Sequence, residues 1–247
     1  MVTVQDLTAF VSQSVEENNG EGYFRGPLLA VSDAADRRYE GLKSIIGPHH
    51  LLPEDMLPGA RTVVSFFIPF TKAVVDANRK DPLVAETWAR TYVACNKLIN
   101  RTSQGLMALL EGHGNRAATV AATHTYDPAT LLAAWSHKSA ACIAGLGEFG
   151  RNHLIITEKG AAGRFGTVFT DAVLAGAPAV SQQRCLHHLG KGCDFCVRAC
   201  PVDAFGSGVL DKHGCHGQLI ATNERFEALE KCDSCGKCAM GPCGYYA

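Results

Sequence analysis

Cysteine placement constrains this chain more than any other feature. Nine of its eleven cysteines lie between Cys185 and Cys243. They form two dense runs. Cys193, Cys196 and Cys200 are followed at once by Pro201, and Cys232, Cys235, Cys238 and Cys243 come later, with Cys215 between the runs and Cys185 just ahead of them. Two intervening residues let successive thiolates converge on one inorganic centre, whereas a cysteine three residues further on points away and can serve a second. Pro201 stops the local turn from continuing.

This spacing is close to that of bacterial two-cluster ferredoxins, in which the cysteine before proline crosses to the other [4Fe–4S] cube. From Cys193 onward there are eight cysteines, enough for two four-thiolate cubes. The crossing rule predicts that Cys200 joins Cys232, Cys235 and Cys238. Cys193, Cys196 and Cys243 then hold the other cube, with Cys185 or Cys215 as fourth ligand. A zinc ribbon is the competing reading, because two C-x-x-C pairs also make a tetrahedral site. A disulfide scaffold is disfavoured: the chain is too long to need staples, and MVTVQDLTAF lacks the basic start of a secretory signal. The cytoplasm, a reducing compartment, is the expected location. The longest apolar run, near Val63 to Ile68, is too short for a bilayer, so no membrane association is expected. A net charge of −1 argues against a large nucleic-acid footprint.

Ahead of the cysteines, hydrophobic periodicity predicts a mixed core. Thr3 caps a first helix with Leu7, Phe10, Val11 and Val15 on one stripe. Glu21 to Leu57 reads as loop-rich, and His49-His50 within it as ordinary loop residues. Arg61 to Pro69 is a continuous apolar run between prolines, hence a buried strand. Asp81-Pro82 opens a long helix with a seam of Trp88, Tyr92, Cys95, Ile99, Thr102, Leu106 and Leu109, ended by Gly112 and Gly114. Ala117 to Thr123 is a second buried strand. Asp127-Pro128 starts another helix, burying Leu131, Leu132, Trp135, Cys142 and Leu146. Cys95 and Cys142 read as plain core. AGLGEFGRN, Ala144 to Asn152, then makes a glycine-rich turn between a helix and the strand HLIITE. It is followed by a Gly160 to Gly166 loop and a strand from Thr167. The turn follows a helix, so it is not a dinucleotide fingerprint. Its glycines either cap that helix or let the backbone approach something flat or large.

The segment WSHKSAACIAGLGEFGRNHLIITEKGAAGRFGTVFTDAVL, Trp135 to Leu174, resembles the AGLG-x-x-G-[KR]-N…TD segment of epoxyqueuosine reductases and corrinoid reductive dehalogenases. LPGARTVVSFFIP also resembles the early core strand of that family. The resemblance covers most of residues 50 to 245. It implies an α/β (α+β) fold: a nitroreductase-like cobalamin-binding domain over residues 1–180, then a ferredoxin-like module with two [4Fe–4S] clusters over 181–247. It implies a corrinoid held against Ala144, Gly145, Leu146, Gly147, Gly150, Arg151 and Asn152. FMN is the alternative cofactor, because such a fold supports both. Departures from the family pattern are local. Gly190 stands where the first cysteine of the first run belongs, and the second run has an extra C-x-x-C step. The acidic donor ahead of AGLG is missing, and the chain stops at Ala247 without a helical-repeat tail, so tRNA is not the expected substrate.

The function these readings imply is a cobalamin-dependent reductase acting on a small substrate. Electrons would come from an external donor such as ferredoxin or flavodoxin. A non-catalytic corrinoid carrier or electron-transfer protein is the reading from another class. His137, Tyr126, Lys138 and Glu148 are the candidate catalytic residues near the glycine turn. His137 leads as proton donor because imidazole titrates near neutrality.

Overall fold

The computed structural model describes residues 1–122, 126–175, 181–206 and 209–247. Its first helix, α1 (Val4–Glu17), opens with a capping box: the Thr3 hydroxyl accepts from Asp6 N, and the Asp6 carboxylate accepts from Thr3 N. Leu7, Val11 and Val15 face inward, as their spacing requires. Strand β1 (Leu28–Asp33), helix α2 (Arg37–Ile45) and the single turn α3 (Pro53–Met56) follow, then β2 (Thr62–Pro69), α4 (Lys72–Lys80) and the long α5 (Glu86–Gly112). Next come β3 (Ala117–Thr119), the small hairpin β4 (Tyr126–Asp127) and β5 (Leu132–Ala133), α6 (His137–Ile143), and the pair β6 (Gly147–Phe149) and β7 (Ile155–Thr157). Strand β8 (Gly163–Thr170), the short α7 (Phe195–Arg198), α8 (Lys212–Arg225) and a 3-10 turn at Lys237–Ala239 complete the order.

The main sheet is antiparallel, in the order β1-β2-β8-β3. Every residue of β2 is buried. Side chains alternate across a strand, so Val64, Phe66 and Ile68 meet α1 and α5, while Val63 and Phe67 join the clusters around α6 on the other face. Helices on both faces explain why this strand reads as unbroken apolar sequence. The α5 seam is buried at Trp88, Tyr92, Cys95, Ile99, Thr102 and Leu106, with Leu110 rather than Leu109 closing it. Each such large side chain contributes about 1.5–3 kcal/mol of transfer free energy.

Several local readings give way. Asp81 does not open α5. It ends α4 in an extended conformation, and its carboxylate accepts from Leu83 N. The stretch read as loop between Glu21 and Leu57 contains β1 and α2; the breakers sit at their ends. Asp127 starts a turn rather than a helix. Its Oδ1 accepts from Ala129 N, Thr130 N and the Thr130 hydroxyl, and Leu131 adopts φ 54°, which folds the chain back as β5. The helix begins only at His137, capped by Ser136. Cys142 is half-buried rather than core, with its thiol directed at Glu148 Oε2. His50 is buried against the Trp135 ring. The second strand stops at Thr119 and is half-buried, short of the buried run expected to Thr123; Thr123 itself and the expected domain boundary at residue 180 lie outside the described residues.

The largest correction is β8, which starts at Gly163 rather than Thr167. Gly163 and Gly166 signal a loop in sequence, yet they sit in a strand opposite Pro69 and Phe66. A Cβ on Gly166 would lie 2.2 Å from the Phe66 ring, and one on Gly163 would lie 2.5 Å from the Phe67 ring. Glycine here makes room for cross-strand aromatics. Gly166→Ala is therefore expected to destabilise the protein by about 1–3 kcal/mol, the usual cost of overpacking, and a second change, Phe66→Leu, recovers part of it. Denaturant midpoints of the two variants measure both effects.

Candidate functional site

The segment after β8 folds back over the ends of α4, α5 and β7. Its hold on the core is made of specific polar contacts. Trp88 Nε1 donates to Ser234 Oγ at 2.8 Å, and Tyr92 OH donates to Asp233 Oδ1 at 2.7 Å. Asn78 Nδ2 reaches the Cys235 carbonyl and Arg79 Nε the Met240 carbonyl. In return, the buried Lys237 ammonium donates to the carbonyls of Asn78 and Asp81 at the end of α4, where the helix dipole favours a cation. Gly236 fits beneath this lock: its φ is +71°, and a Cβ would lie 2.1 Å from the Trp88 ring. The chain end is pinned as well. Ala161 N and Ala162 N donate to the carbonyls of Cys243 and Gly244, Arg25 Nη1 donates to the Tyr246 carbonyl, and its guanidinium lies over the Tyr245 ring.

This framework sorts the cysteines into two sets. Cys185, Cys193, Cys196 and Cys243 interact electrostatically with one another and line one cavity together with Arg151 and His187. Cys200, Cys215, Cys235 and Cys238 form the second set. Cys238 also interacts with Cys196 and lines the cavity of the first set, so the two sets adjoin. All eight are free thiols. Burial raises the Cys243 thiol to about 12, with Cys185 and Cys196 adding to the shift, and it raises Cys238 further in the same direction.

Cys185 and Cys215 thus fall one to each set, rather than competing for one place. Cys232 stands apart from both. It is 0% exposed, packed with Ala89 and Tyr92, and its thiol is directed at the Ala89 carbonyl. Asn223 of α8 accepts a hydrogen bond from Cys232 N and fixes that direction. Cys185 reaches its set because the chain turns tightly after it. Leu189 N donates to the Cys185 carbonyl, Lys191 N to the Leu186 carbonyl, and Gly190 takes φ +71°. At the expected ligand position, an exposed left-handed glycine shapes the loop instead.

The glycine turn is a joint between core and module. Gly145, with φ +80°, follows the C-cap of α6; its N–H bonds to the Cys142 carbonyl and Leu146 N bonds to the Ala141 carbonyl, a Schellman closure. A Cβ on Gly147 would lie 2.4 Å from the Ile156 carbonyl oxygen, and one on Gly150 would lie 2.7 Å from the Ile156 side chain. These glycines are therefore fitted to protein. Ala144 and Leu146 are buried. Arg151 N lies 3.5 Å from Cys185 Sγ, while Asn152 Nδ2 donates to the Cys238 carbonyl at 3.0 Å, so adjacent residues touch both cysteine sets. The recess beside Gly145, lined also by Leu28, Glu158 and Arg184, measures about 250 Å³, less than a small-molecule pocket and too small for a corrin. Of the residues expected to face a corrinoid, Gly145 and Leu146 line this recess, while Arg151 and Asn152 line the cavity of the first cysteine set.

The four candidate catalytic residues do not converge. His137 bridges elements: its Nε2 donates to the Ala121 carbonyl at 3.2 Å, and its Nδ1 lies 2.8 Å from the Thr167 hydroxyl. Lys138 Nζ donates to the His153 carbonyl at 2.9 Å. Glu148 lies beyond the far end of α6, between Ser181 and Cys142, and together with burial it raises the Cys142 thiol to about 11. Tyr126 OH pairs with His216 Nε2 of α8 at 2.7 Å. Arg164, over the Tyr92 ring at 4.3 Å with Nη2 on the Ala122 carbonyl, also belongs to this junction. Neither Arg164 nor the Asn78–Lys237 lock carries a motif that sequence reasoning could have found.

No protein-family model and no curated protein matches the chain. Solved structures do. An epoxyqueuosine reductase solved with a tRNA-Tyr epoxyqueuosine-modified tRNA stem loop aligns with TM-score 0.58 at 17% identity, over 98% of this chain and 68% of its own. The epoxyqueuosine reductase of Streptococcus thermophilus aligns with TM-score 0.54 at 15% identity, over 94% and 64%. A catabolic reductive dehalogenase variant aligns with TM-score 0.59 at 17% identity, over 87% of this chain and 29% of its own. Another dehalogenase structure, described as suggesting a mechanism for B12-dependent dehalogenation, aligns with TM-score 0.51 at 16% identity, over 71% and 23%. The chain therefore shares the fold common to epoxyqueuosine reductases and reductive dehalogenases, the same proteins its Trp135–Leu174 segment resembles.

Proposed function

We propose that this chain is an iron–sulfur oxidoreductase of the corrinoid-dependent kind, carrying two [4Fe–4S] clusters and reducing a small substrate. The observation that carries the reading is the sorting of eight buried or half-buried thiols into two adjoining sets of four. Desolvated thiols stay protonated near neutrality by themselves, and metal binding is what holds them ionised. Among the described residues no three His, Cys, Asp or Glu converge closely enough for a single ion. Two adjoining sets of four thiols match the two-cube pattern that the cysteine spacing predicts. We assign Cys185, Cys193, Cys196 and Cys243 to an outer cluster, beneath the exposed loop of His187 to Gly192. Cys200, Cys215, Cys235 and Cys238 form an inner one, beside α6. Electrons from an external one-electron carrier would enter at the outer set.

The corrinoid is supported by the shared fold. Of the expected proton donors, Tyr126 has the more suitable geometry, because His216 can resupply its hydroxyl; both His137 nitrogens are engaged in holding β8 to residue 121. Asp127 does not replace the missing acid. Hydrogen bonds from Thr130 hold its carboxyl below the usual carboxylate range, so it is ionised near neutrality. With the acidic donor ahead of AGLG missing, a small substrate is the reading, although an epoxyqueuosine reductase of this fold was solved with a tRNA stem loop.

Anaerobically purified protein is expected to hold about eight irons per chain, as two four-iron cubes require. Cys185→Ser and Cys215→Ser each lose about half of that iron, while Cys232→Ser keeps it. Four irons in the wild type, zinc instead, or iron loss in Cys232→Ser overturns the assignment. Separately, cofactor extraction should yield cobalt with a corrinoid absorbance spectrum. A flavin spectrum instead selects FMN. Reduction of a partner corrinoid protein, without turnover of any small substrate, selects the carrier.

A further inference from the structure

Lys138 is half-buried on α6, and among the described residues no carboxylate pairs with it. Its Nζ donates to one neutral acceptor, the His153 carbonyl, at 2.9 Å. That contact places it against the inner cysteine set. The neighbouring Asn152 amide holds the Cys238 carbonyl at 3.0 Å, and the His153 ring stacks on Phe205, 6.3 Å away, just after the turn in which Ala204 N donates to Cys200 Sγ. The charged groups that act on Lys138 are Cys238 and Cys215, which favour its cationic form, and Arg164 and Lys212, which oppose it. Burial also disfavours the charge. The two groups that favour its charge both belong to the inner set, where cluster binding would ionise them.

We propose that Lys138 is a positioning residue for electron transfer: its charge sits against the inner cysteine set and raises the reduction potential of the cluster held there. The proposal rests on the two-cluster reading above. On reduction the inner cluster gains one electron from the outer cluster or from dithionite; no bond forms or breaks and no proton moves. The extra negative charge is stabilised by a nearby cation, most strongly where water is excluded. Lys138 thus acts on the inner cluster, whereas in the outer set the Arg151 charge acts on Cys196. This role differs from that of a proton donor: the one hydrogen bond of the ammonium goes to the His153 carbonyl.

The test is a redox titration of the anaerobically purified two-cluster protein, followed by electron paramagnetic resonance with dithionite as reductant. Iron content of the wild type is measured first; a wild type without two clusters sinks the cluster reading itself. With two clusters present, Lys138→Met is expected to shift one midpoint potential downward and leave the other in place. Lys138→Arg, which keeps the charge, should restore the shifted midpoint. If Lys138→Met loses iron, Lys138→Gln removes the charge while keeping a donor for the His153 carbonyl and carries the same expectation. Two unchanged midpoints, equal shifts of both, or a midpoint in Lys138→Arg as low as in Lys138→Met overturns the proposal.

Discussion

The structure depends on a lock between the Cys232–Cys243 stretch and the α4–α5 corner. Lys237 enters the core as a cation and finds the carbonyls at the end of α4, and Trp88 closes over Gly236 from the other side. Asn78 ties the two halves together. Its amide nitrogen donates to the Cys235 carbonyl, and its oxygen accepts from Ala85 N, at the start of α5. One buried amide therefore sets the bend between α4 and α5 and the height of the cysteine loop above it. A buried polar group of this kind is costly unless satisfied on every side, which makes the position of the loop all-or-none. Cys235 and Cys238 are then placed by the core and not by the cysteine loop alone.

Legibility in the sequence followed burial. β2 and the α5 seam could be read because their environments are uniform: both faces covered for β2, one stripe for α5. The glycine turn was legible as a helix end, but its purpose was not, because the partner that fills the space above Gly147 is Ile156, brought there only by the β6–β7 pairing. β8 was misread for the same reason. Gly166 signals a loop until Phe66 is known to lie opposite, and register is a long-range fact. α4 buries Val74 and Val75 in the main core, and Asn78 and Arg79 reach from it to the cysteine loop.

The cysteine pattern shows the same limit more sharply. Spacing was enough to part Cys200 from Cys193 and Cys196, because that rule concerns the local direction of side chains. It could not place Cys185, which joins its set through a turn shaped by the left-handed Gly190. Nor could it show that Cys232, at C-x-x-C spacing from Cys235, packs against Ala89 and Tyr92. An Asn223 side chain some residues upstream takes its N–H and turns the thiol toward α5. Spacing counts residues, whereas ligation depends on where a backbone hydrogen bond aims the Cα–Cβ vector.

The arrangement also gives the two sets different surroundings, and this follows from chain order. Cys193 and Cys196 come directly after an exposed loop, while Cys243 and Cys185 are tied to the chain end and to the glycine turn, so the outer set lies at the edge of the module. Cys200 crosses inward, and Cys215 arrives from α8, whose His216 meets Tyr126 of the β4–β5 hairpin. The inner set is thereby walled by α6 and α8 and faces Lys138. Cys238 touches both environments, and it is the residue whose carbonyl Asn152 holds. A single amide from the glycine turn therefore holds the point at which the two sets meet. The AGLGEFGRN turn thus meets both sets, through the Asn152 amide at the Cys238 carbonyl and the Arg151 N–H at Cys185 Sγ.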